Sequence, residues 1–565
     1  MAAGQSCSAR GRLTRIFGEQ VRAARRPMKK TNQEFAAATS TFSGLITALR
    51  DPSCYPHPVR RVDVIETHIS WVLLTGDYAY KIKKPVTLAF LDFSSLEARR
   101  RYCNEELRLN RRTAPRLYLD VVPITGSVSR PAVGGAGNAL EYAVRMRQFP
   151  DDALLDRMAR AATLQPYHLD RLAQLLAEFH SQIGRAGADT VFGSSQCVLD
   201  NAGRNFSEIE LLAPIEEDLQ LLRSLRDWTR NEHASLSTVL DSRKLDGFVR
   251  ECHGDLHLGN IALIDGVPTP FDCIEFNADF RWIDVMNEIA FLVMDLLGHR
   301  LPRLAFRFLN AYLEITGDYS GVRVLRFYLV YRALVRAKVV CIRARQPGIG
   351  DDDKRNAEQI FRNRLQLAQR LAAWSRPALI IMHGLSGSGK TRVSQALLES
   401  LGAVRLRSDI ERKRLYGLKP AARTGFGIET GIYAAGATES TYDQLAQCAR
   451  ELLMAGYPVI VDAAFLNHGH RDAFRRIASG NGVPFAMASC AAKETTLRER
   501  IVKRDSEGRD ASEAGLAVLE RQLATQDPLA KDESELAIVF NRERGDPLPD
   551  KALEDLAQRL GIEVL

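Results

Sequence analysis

At 565 residues, with 45% hydrophobic and 26% charged side chains, the chain has length for two or more domains with ordinary globular cores. It holds no run of eighteen unbroken apolar residues, and its nine cysteines show no CxxC and no metal-ligand spacing; both facts argue against a spanning helix or a secreted disulfide framework. The net charge of +8 is concentrated at one end, where residues 1–30 carry eight Lys/Arg against one Glu, so the body is nearly neutral and lacks a chain-wide nucleic-acid footprint.

Residues 1–40 read as a basic tail. The opening "MAAGQSCSARGRLTRIFGEQVRAARRPMKK" is Arg-rich and acid-poor, like an organellar transit peptide, but also like a disordered tail or an over-long start ahead of Met28. It has no apolar h-region, so export is not expected, and a cytoplasmic protein is. Residues 41–150 are expected to form a small lobe of several strands and one helix. "ISWVLL" and "YAYKIKK" flank the turn "TGD" as a hairpin, and "LYLDVVPI" and "ALEYAVRMRQF" are further strands. Between them Leu96, Tyr102, Cys103, Glu106 and Leu109 recur at helical spacing, with Ser94 or Ser95 as cap.

Residues 151–346 are mainly helical, interrupted by "HGDLHLGN" and a short strand pair, "IALID" and "TPFDCIEF". Residues 347–375 form a charged helix that reads as a linker. From residue 376 to 565, "ALIIMHG", "AVRLRSD", "PVIVDAAF" and "PFAMASC" alternate with helices, which predicts a parallel sheet.

Two stretches carry chemistry. In "HGDLHLGN" Asp255 and Asn260 have the D-x-x-x-x-N spacing of a kinase catalytic loop: an Asp for the acceptor hydroxyl, an Asn for Mg²⁺. Asp272, twelve residues beyond Asn260 across a hairpin, supplies the second, acidic metal ligand. Upstream, phosphotransfer wants a strand Lys held by a helix Glu. Lys81 and Glu106 stand in that order, with Lys83 and Glu105 as rivals. Asp284 reads as a structural Asp at a helix start.

The ordered set resembles the aminoglycoside phosphotransferase-like branch of the protein-kinase fold, over roughly residues 60–345. The resemblance implies a bilobal α+β domain with Asp255 as catalytic base, Asn260 and Asp272 on Mg²⁺, and Lys81 on the ATP phosphates, held by Glu106. No G-x-G-x-x-G precedes Lys81, so another loop, such as "ETHIS", must cover the phosphates. Cys-Ile follows Asp272 in place of Phe-Gly, so no regulated Phe switch is expected.

The second stretch, "GLSGSGKT", satisfies G-x-x-x-x-G-K-[ST] between a strand and a helix. Gly384, Leu385, Ser386, Gly387, Ser388 and Gly389 would turn backbone N–H groups to ATP phosphates, with Lys390 on the β/γ-phosphates and Thr391 on Mg²⁺. Asp462, ending "PVIVD", is placed as the Walker-B carboxylate. Asp409 lies where P-loop kinases hold an acceptor base, but Ser408-x-x-Glu411 also spells a capping box, which would make Asp409 first-turn charge. Arg500, Arg504 and Arg509 suit a lid that neutralises transferred charge, or else a solvated basic face.

This half resembles the P-loop kinases that include polynucleotide-kinase-like and zeta-toxin-like proteins. The whole resembles a bacterial fusion of an aminoglycoside phosphotransferase-like domain with a P-loop ATPase domain. The function expected is an ATP- and Mg²⁺-dependent bifunctional phosphotransferase with small-molecule hydroxyl acceptors. Two alternatives stay open: one domain as nucleotide-gated regulator of the other, or end phosphorylation of nucleic acid by the P-loop half. The near-neutral body disfavours the last, except through a local groove near Arg405, Arg407, Arg412 and Lys413.

Overall fold

The computed structural model describes residues 42–67, 69–88, 91–211, 215–345, 350–420, 422, 432, 434–507, 514–541 and 550–565. The basic tail, with Met28, and Arg509 lie outside them, as does part of the "ETHIS" loop. The described chain divides into two compact units. One runs up to Asn104 and is joined by Leu119–Gln148; the other is Glu105–Tyr118 with Phe149–Leu565.

The first unit is a six-stranded sheet made from β1 (Asp63–Glu66), β2 (Ser70–Leu74), β3 (Tyr78–Lys83), β4 (Tyr118–Ser127), β5 (Arg130–Val133) and β6 (Glu141–Arg147), in the order β1-β2-β3-β6-β4-β5. β2 and β3 form the expected hairpin, with Val72 opposite Lys81. β1 and β5, both four residues long, are additions to the strands read from sequence. Period-two alternation sends Tyr80 and Ile82 to the apolar core and Lys81 and Lys83 to the other face. Lys83 is fully buried with its ammonium 5.0 Å from the Phe93 ring centroid, which gives the rival lysine a packing role. Ser95 caps helix α1 (Leu96–Asn110) by accepting from Ala98 N at 3.1 Å.

In the second unit the helices are α2 (Pro166–Gln182), α3 (Ser195–Glu210), α4 (Glu216–Leu245), α5 (Val285–Gly298), α6 (Pro302–Thr316), α7 (Val322–Ala344) and α8 (Asp351–Ala372). Two short antiparallel pairs interrupt them: β8 (Ile261–Ile264) with β9 (Val267–Pro270), and β7 (Val249–Glu251) with β10 (Trp282–Asp284). α5 is apolar nearly all round and buried along its length. Asp284 caps it, accepting from Met286 N, and also takes a bidentate bond from Arg243 at 2.7 and 2.9 Å. Arg243 grips Asp318 in the same way, at 2.8 Å twice. Asp284 is thus the structural residue expected.

A five-stranded parallel sheet follows in the same unit: β11 (Ala378–His383), β12 (Val404–Arg407), β13 (Pro458–Asp462), β14 (Phe485–Ala491) and β15 (Ala537–Asn541), in the order β12-β13-β11-β14-β15. β11 and β13 are buried on both faces and read as unbroken aliphatic runs, as parallel strands do. Helices α9 (Lys390–Leu401), α10 (Ser408–Leu415), α11 (Ala435–Met454), α12 (His468–Gly480), α13 (Glu494–Glu507) and α14 (Leu516–Thr525) connect and flank them. An α+β region of antiparallel strands and helices followed by an α/β domain with a parallel sheet is therefore the fold. One apolar core runs without a break from the helices through this sheet.

Arg243→Met should destabilise the helical region by about 3–5 kcal/mol, because it leaves two carboxylates buried without their counter-ion. Denaturant unfolding checks this; a loss under about 1 kcal/mol would contradict it.

Candidate active sites

The "HGDLHLGN" loop leaves β7 at Glu251 and returns into β8, and each of its turns is pinned from behind. Gly254 has φ +87, and a Cβ there would stand 2.6 Å from Phe280 O, so only glycine fits. Its N–H donates to Glu288 of α5 at 2.8 Å, and its carbonyl accepts from Arg332 of α7 at 3.0 Å. Further along, Leu258 N donates to Asp295 of α5 at 3.1 Å. Glu288 also holds His180 at 3.1 Å, and His180 reaches Tyr312 of α6 at 2.8 Å. His180, Cys252 and Glu288 bring their ligand atoms within 4.8 Å of one another, but hydrogen bonds already engage all three.

On this frame Asn260 Nδ2 donates to Asp255 Oδ2 at 2.8 Å, which leaves the Asn260 carbonyl oxygen for a cation. Phe271 N donates to Asn260 O at 2.9 Å and so sets Asp272 beside that residue's backbone. Asp272 lies just past β9 in the left-handed region, φ +64, and not within the strand where the sequence put it. Tyr118 OH accepts from Asp272 N at 3.1 Å, and Asn110 Oδ1 from Cys273 N at 2.9 Å; these bonds sustain the strained turn. An amide oxygen from Asn260 and a carboxylate from Asp272 are hard oxygen donors, so these residues fit Mg²⁺.

Asp255 is about a third exposed, with a 34% side-chain value. Burial pushes its carboxyl up, but His257 beside it and the Arg336 guanidinium outweigh that and hold it well below the usual carboxylate range. Arg336 reaches His257 Nε2 at 3.0 Å. Lys81 is nearly buried on β3 of the first unit; Glu106 is fully buried on the α1 segment of the second.

The phosphate loop joins β11 to α9. Gly384, Gly387 and Gly389 have φ of +140, +82 and +91. A Cβ on Gly384 would meet Cys490 O at 2.5 Å, and one on Gly387 would meet Leu497 O at 2.8 Å. Lys390 curls over the loop and donates to Gly384 O and Leu385 O at 2.8 and 2.9 Å. Desolvation pulls its ammonium down, opposed by the charges of Asp462 and Asp409. Asp462 ends β13 in register with Arg407, and Asp409 follows two residues on, in the first turn of α10. Ser386 N donates to Gln522 at 2.8 Å, and the Ser388 hydroxyl is buried without a hydrogen-bond partner among the described residues, a polar group suited to a phosphate. Thr391 and Asp462 are oxygen donors that fit Mg²⁺.

Arg500 of α13 donates to Gly387 O at 3.3 Å; Arg504 donates to Ala514 O and adds positive charge near Lys390. The capping box at Ser408 is not formed. β12 runs straight into α10, so Arg407 takes the cap position with no side-chain cap bond, and Asp409 sits in the first turn. The described residues do not form the basic groove either. Arg405 pairs with Glu314 at 2.6 Å, Arg412 donates to Ile432 O at 3.0 Å and Lys413 to Ala422 O at 2.6 Å, all buried. Arg407 lies 3.6 Å from Glu314.

Sequence reading missed Glu288, Asp295, Arg332, Arg336 and Glu314. The signal was available for Glu314: Asn310 and Glu314 are polar residues four apart on the mostly apolar α6.

The AAA domain family matches residues 379–529, the stretch built around this loop. The second half is a P-loop domain by sheet order, loop geometry and family. The chain belongs to the family of the uncharacterized protein Rv2004c of Mycobacterium tuberculosis (strain ATCC 25618 / H37Rv), with 30% identity over 478 residues, 84% of this chain and 93% of that one. Among solved structures it is similar to amicoumacin kinase hAmiN (12% identity, 60% of this chain and 96% of that one, TM-score 0.37). It is also similar to a gluconokinase from Sinorhizobium meliloti 1021 (21% identity, 33% and 95%, TM-score 0.24).

Because Asp255 is held ionised, its folded pKa lies below its unfolded value. The stability its pairing supplies is present above about pH 4 and lost below. ATP turnover by the first site, with the P-loop disabled by Lys390→Ala, should therefore show no acid limb from Asp255 between roughly pH 8 and 5. A limb in that range that moves in Asp255→Glu would contradict this.

Proposed function

We propose that the chain is a bifunctional, Mg²⁺- and ATP-dependent phosphotransferase that moves the γ-phosphoryl group to hydroxyls of small molecules. In this reading residues 41–150 and 151–346 form the two lobes of a kinase-like half, 347–375 connect, and 376–565 form a P-loop kinase half. The observation that carries the reading is a second carboxylate next to the strand end that holds Asp462. Asp462 ends β13 in register with Arg407, and Asp409 follows two residues on in the first turn of α10. A phosphate-binding ATPase needs Asp462 alone, whereas Asp409 suits an acceptor hydroxyl.

At the first site Asp255 accepts a hydrogen bond from the acceptor hydroxyl and orients it in line with the γ-phosphorus. The acceptor O–P bond forms as the β–γ bridging P–O bond breaks, ADP leaves, and the hydroxyl proton passes to Asp255 and on to solvent. A carboxylate this acidic is a weak base, so the proton moves late, as a loose phosphoryl transition state allows. Lys81, held by Glu106, binds the ATP phosphates. Bound Mg²⁺ neutralises charge on the transferring phosphoryl group; Asn260 and Asp272 would hold it at one site, Thr391 and Asp462 at the other. Arg500 and Arg504, with Arg509, serve the P-loop site as lid cations.

The burial of Arg405, Arg412 and Lys413 supports small acceptors over a nucleic-acid end, since a strand would need those cations exposed. The regulator reading keeps support from the ion pairs that tie α6 to β12. No helix among the described residues is long and apolar enough to cross a membrane; the site chemistry suits the cytoplasm, where ATP and Mg²⁺ are at hand.

Screening the full chain against hydroxyl-bearing metabolites tests the proposal. Asp255→Ala should cost ~10²–10⁴-fold in transfer to a first-site acceptor while leaving nucleotide binding in place. Asp272→Asn should raise the Mg²⁺ requirement of that same transfer. Full turnover by Asp255→Ala would remove the first assignment, and an unchanged Mg²⁺ requirement the second.

A further inference from the structure

Helix α6 belongs to the kinase-like half, yet it packs against α9 and β12 of the P-loop half. Asn310 stitches the contact at backbone level: its Oδ1 accepts from Arg405 N at 2.7 Å and its Nδ2 donates to Ala403 O at 2.9 Å. One turn on, Glu314 Oε1 accepts from Arg405 Nε at 2.9 Å and from a terminal nitrogen at 2.6 Å. The other terminal nitrogen of Arg405 donates to Ser394 Oγ at 3.1 Å and to Thr391 O at 3.3 Å. Ser394 Oγ then donates to Asp462 Oδ2 at 2.9 Å. Arg405 is 4% exposed, Ser394 0% and Asp462 6%, so water does not screen this relay.

We propose that Glu314 is a positioning residue for the P-loop metal pair, Thr391 and Asp462, so that the kinase-like half completes the Mg²⁺ site of the other half. This rests on the reading of residues 384–391 as a phosphate loop with Asp462 as its metal carboxylate. The physical argument is about where a buried guanidinium finds its counter-charge. Glu314 neutralises Arg405. Arg405 can then lend a hydrogen bond to Ser394 without claiming Asp462 for itself. Its bond to Ser394 Oγ turns the hydroxyl proton toward Asp462 and away from Thr391 O, which lies 3.0 Å off. One oxygen of Asp462 is thereby fixed and the other is left for the cation. Without the Glu314 charge, the carboxylate Arg405 reaches through Ser394 Oγ is Asp462, and the guanidinium competes with Mg²⁺ for it. Partners of metal ligands typically change metal affinity 10–100-fold when they are removed.

The control comes from the same helix pair. Arg307 of α6 bridges to Glu399 of α9 at 2.8 Å without touching Ser394 or Asp462 in any bond seen. Glu399→Gln therefore breaks a cross-bridge but not the relay. The test uses the full chain and a fluorescent ADP analogue, titrated in EDTA and across a Mg²⁺ series. Signal that Lys390→Ala removes is assigned to the P-loop site. Glu314→Gln should raise the Mg²⁺ needed for half-maximal tightening at that site by about tenfold or more and leave the EDTA affinity unchanged. Ser394→Ala, which acts from the far end of the relay, should shift Mg²⁺ dependence the same way, and Glu399→Gln should not. The proposal falls if neither relay variant moves the Mg²⁺ dependence, if affinity drops equally with and without Mg²⁺, or if Glu399→Gln gives the same shift. If Lys390→Ala binds nucleotide like the unaltered chain, the phosphate-loop reading itself is wrong and takes the proposal with it.

Discussion

The burial of Arg405 is the constraint to which the second half of the structure answers. A guanidinium at 4% exposure cannot stay charged in an apolar core without carboxylate and hydrogen-bond acceptors on every side. Helix α9, which follows the phosphate loop, offers Ser394 Oγ and Thr391 O, which are neutral; the charge comes from Glu314 on α6. The sheet edge at β12 is therefore closed by α6, and the apolar core continues across the junction instead of stopping there. The P-loop half, which has a self-contained strand, loop and helix for phosphate, is not self-contained in its charges.

A comparable logic sets the first site. The "HGDLHLGN" loop is short and irregular, and its backbone groups would be orphaned were they not taken up by Glu288, Asp295 and Arg332 from the helices beneath. Those helices can spare the charges because α5 is otherwise apolar and rigidly packed. The same α6 that carries Glu314 also carries Tyr312, two residues earlier, which reaches His180 and through it Glu288. Successive residues along one helix thus support the Gly254 turn on one side and Arg405 on the other.

What could be read from the sequence follows from distance along the chain. The phosphate loop and Asp255 with Asn260 lie in contiguous stretches where spacing alone brings the residues together, and the aliphatic strands β11 and β13 announce a parallel sheet. Arg405 was legible only as local charge in "RLRSDIERKR", which suggested a basic surface; its partner stands 91 residues away and no short window joins them. The capping box at Ser408 failed for a related reason. Three-residue spacing was right, but β12 enters α10 without a break, so Ser408 is inside the helix and not at its cap. Tyr118 and Asn110, which hold the Asp272 turn, come from a strand start and a helix end whose patterns gave no hint of a joint task. Strand β15 escaped notice because it is five residues long and only partly buried, as edge strands are.

That each half of the chain is a nucleotide site in its own right is the claim on which all of the chemistry depends. Calorimetric titration of the unaltered chain with a non-hydrolysable ATP analogue in excess Mg²⁺ addresses it directly. Two nucleotides bound per chain is the predicted stoichiometry. A single nucleotide per chain would contradict it, and would leave one of the two loops as a structural remnant.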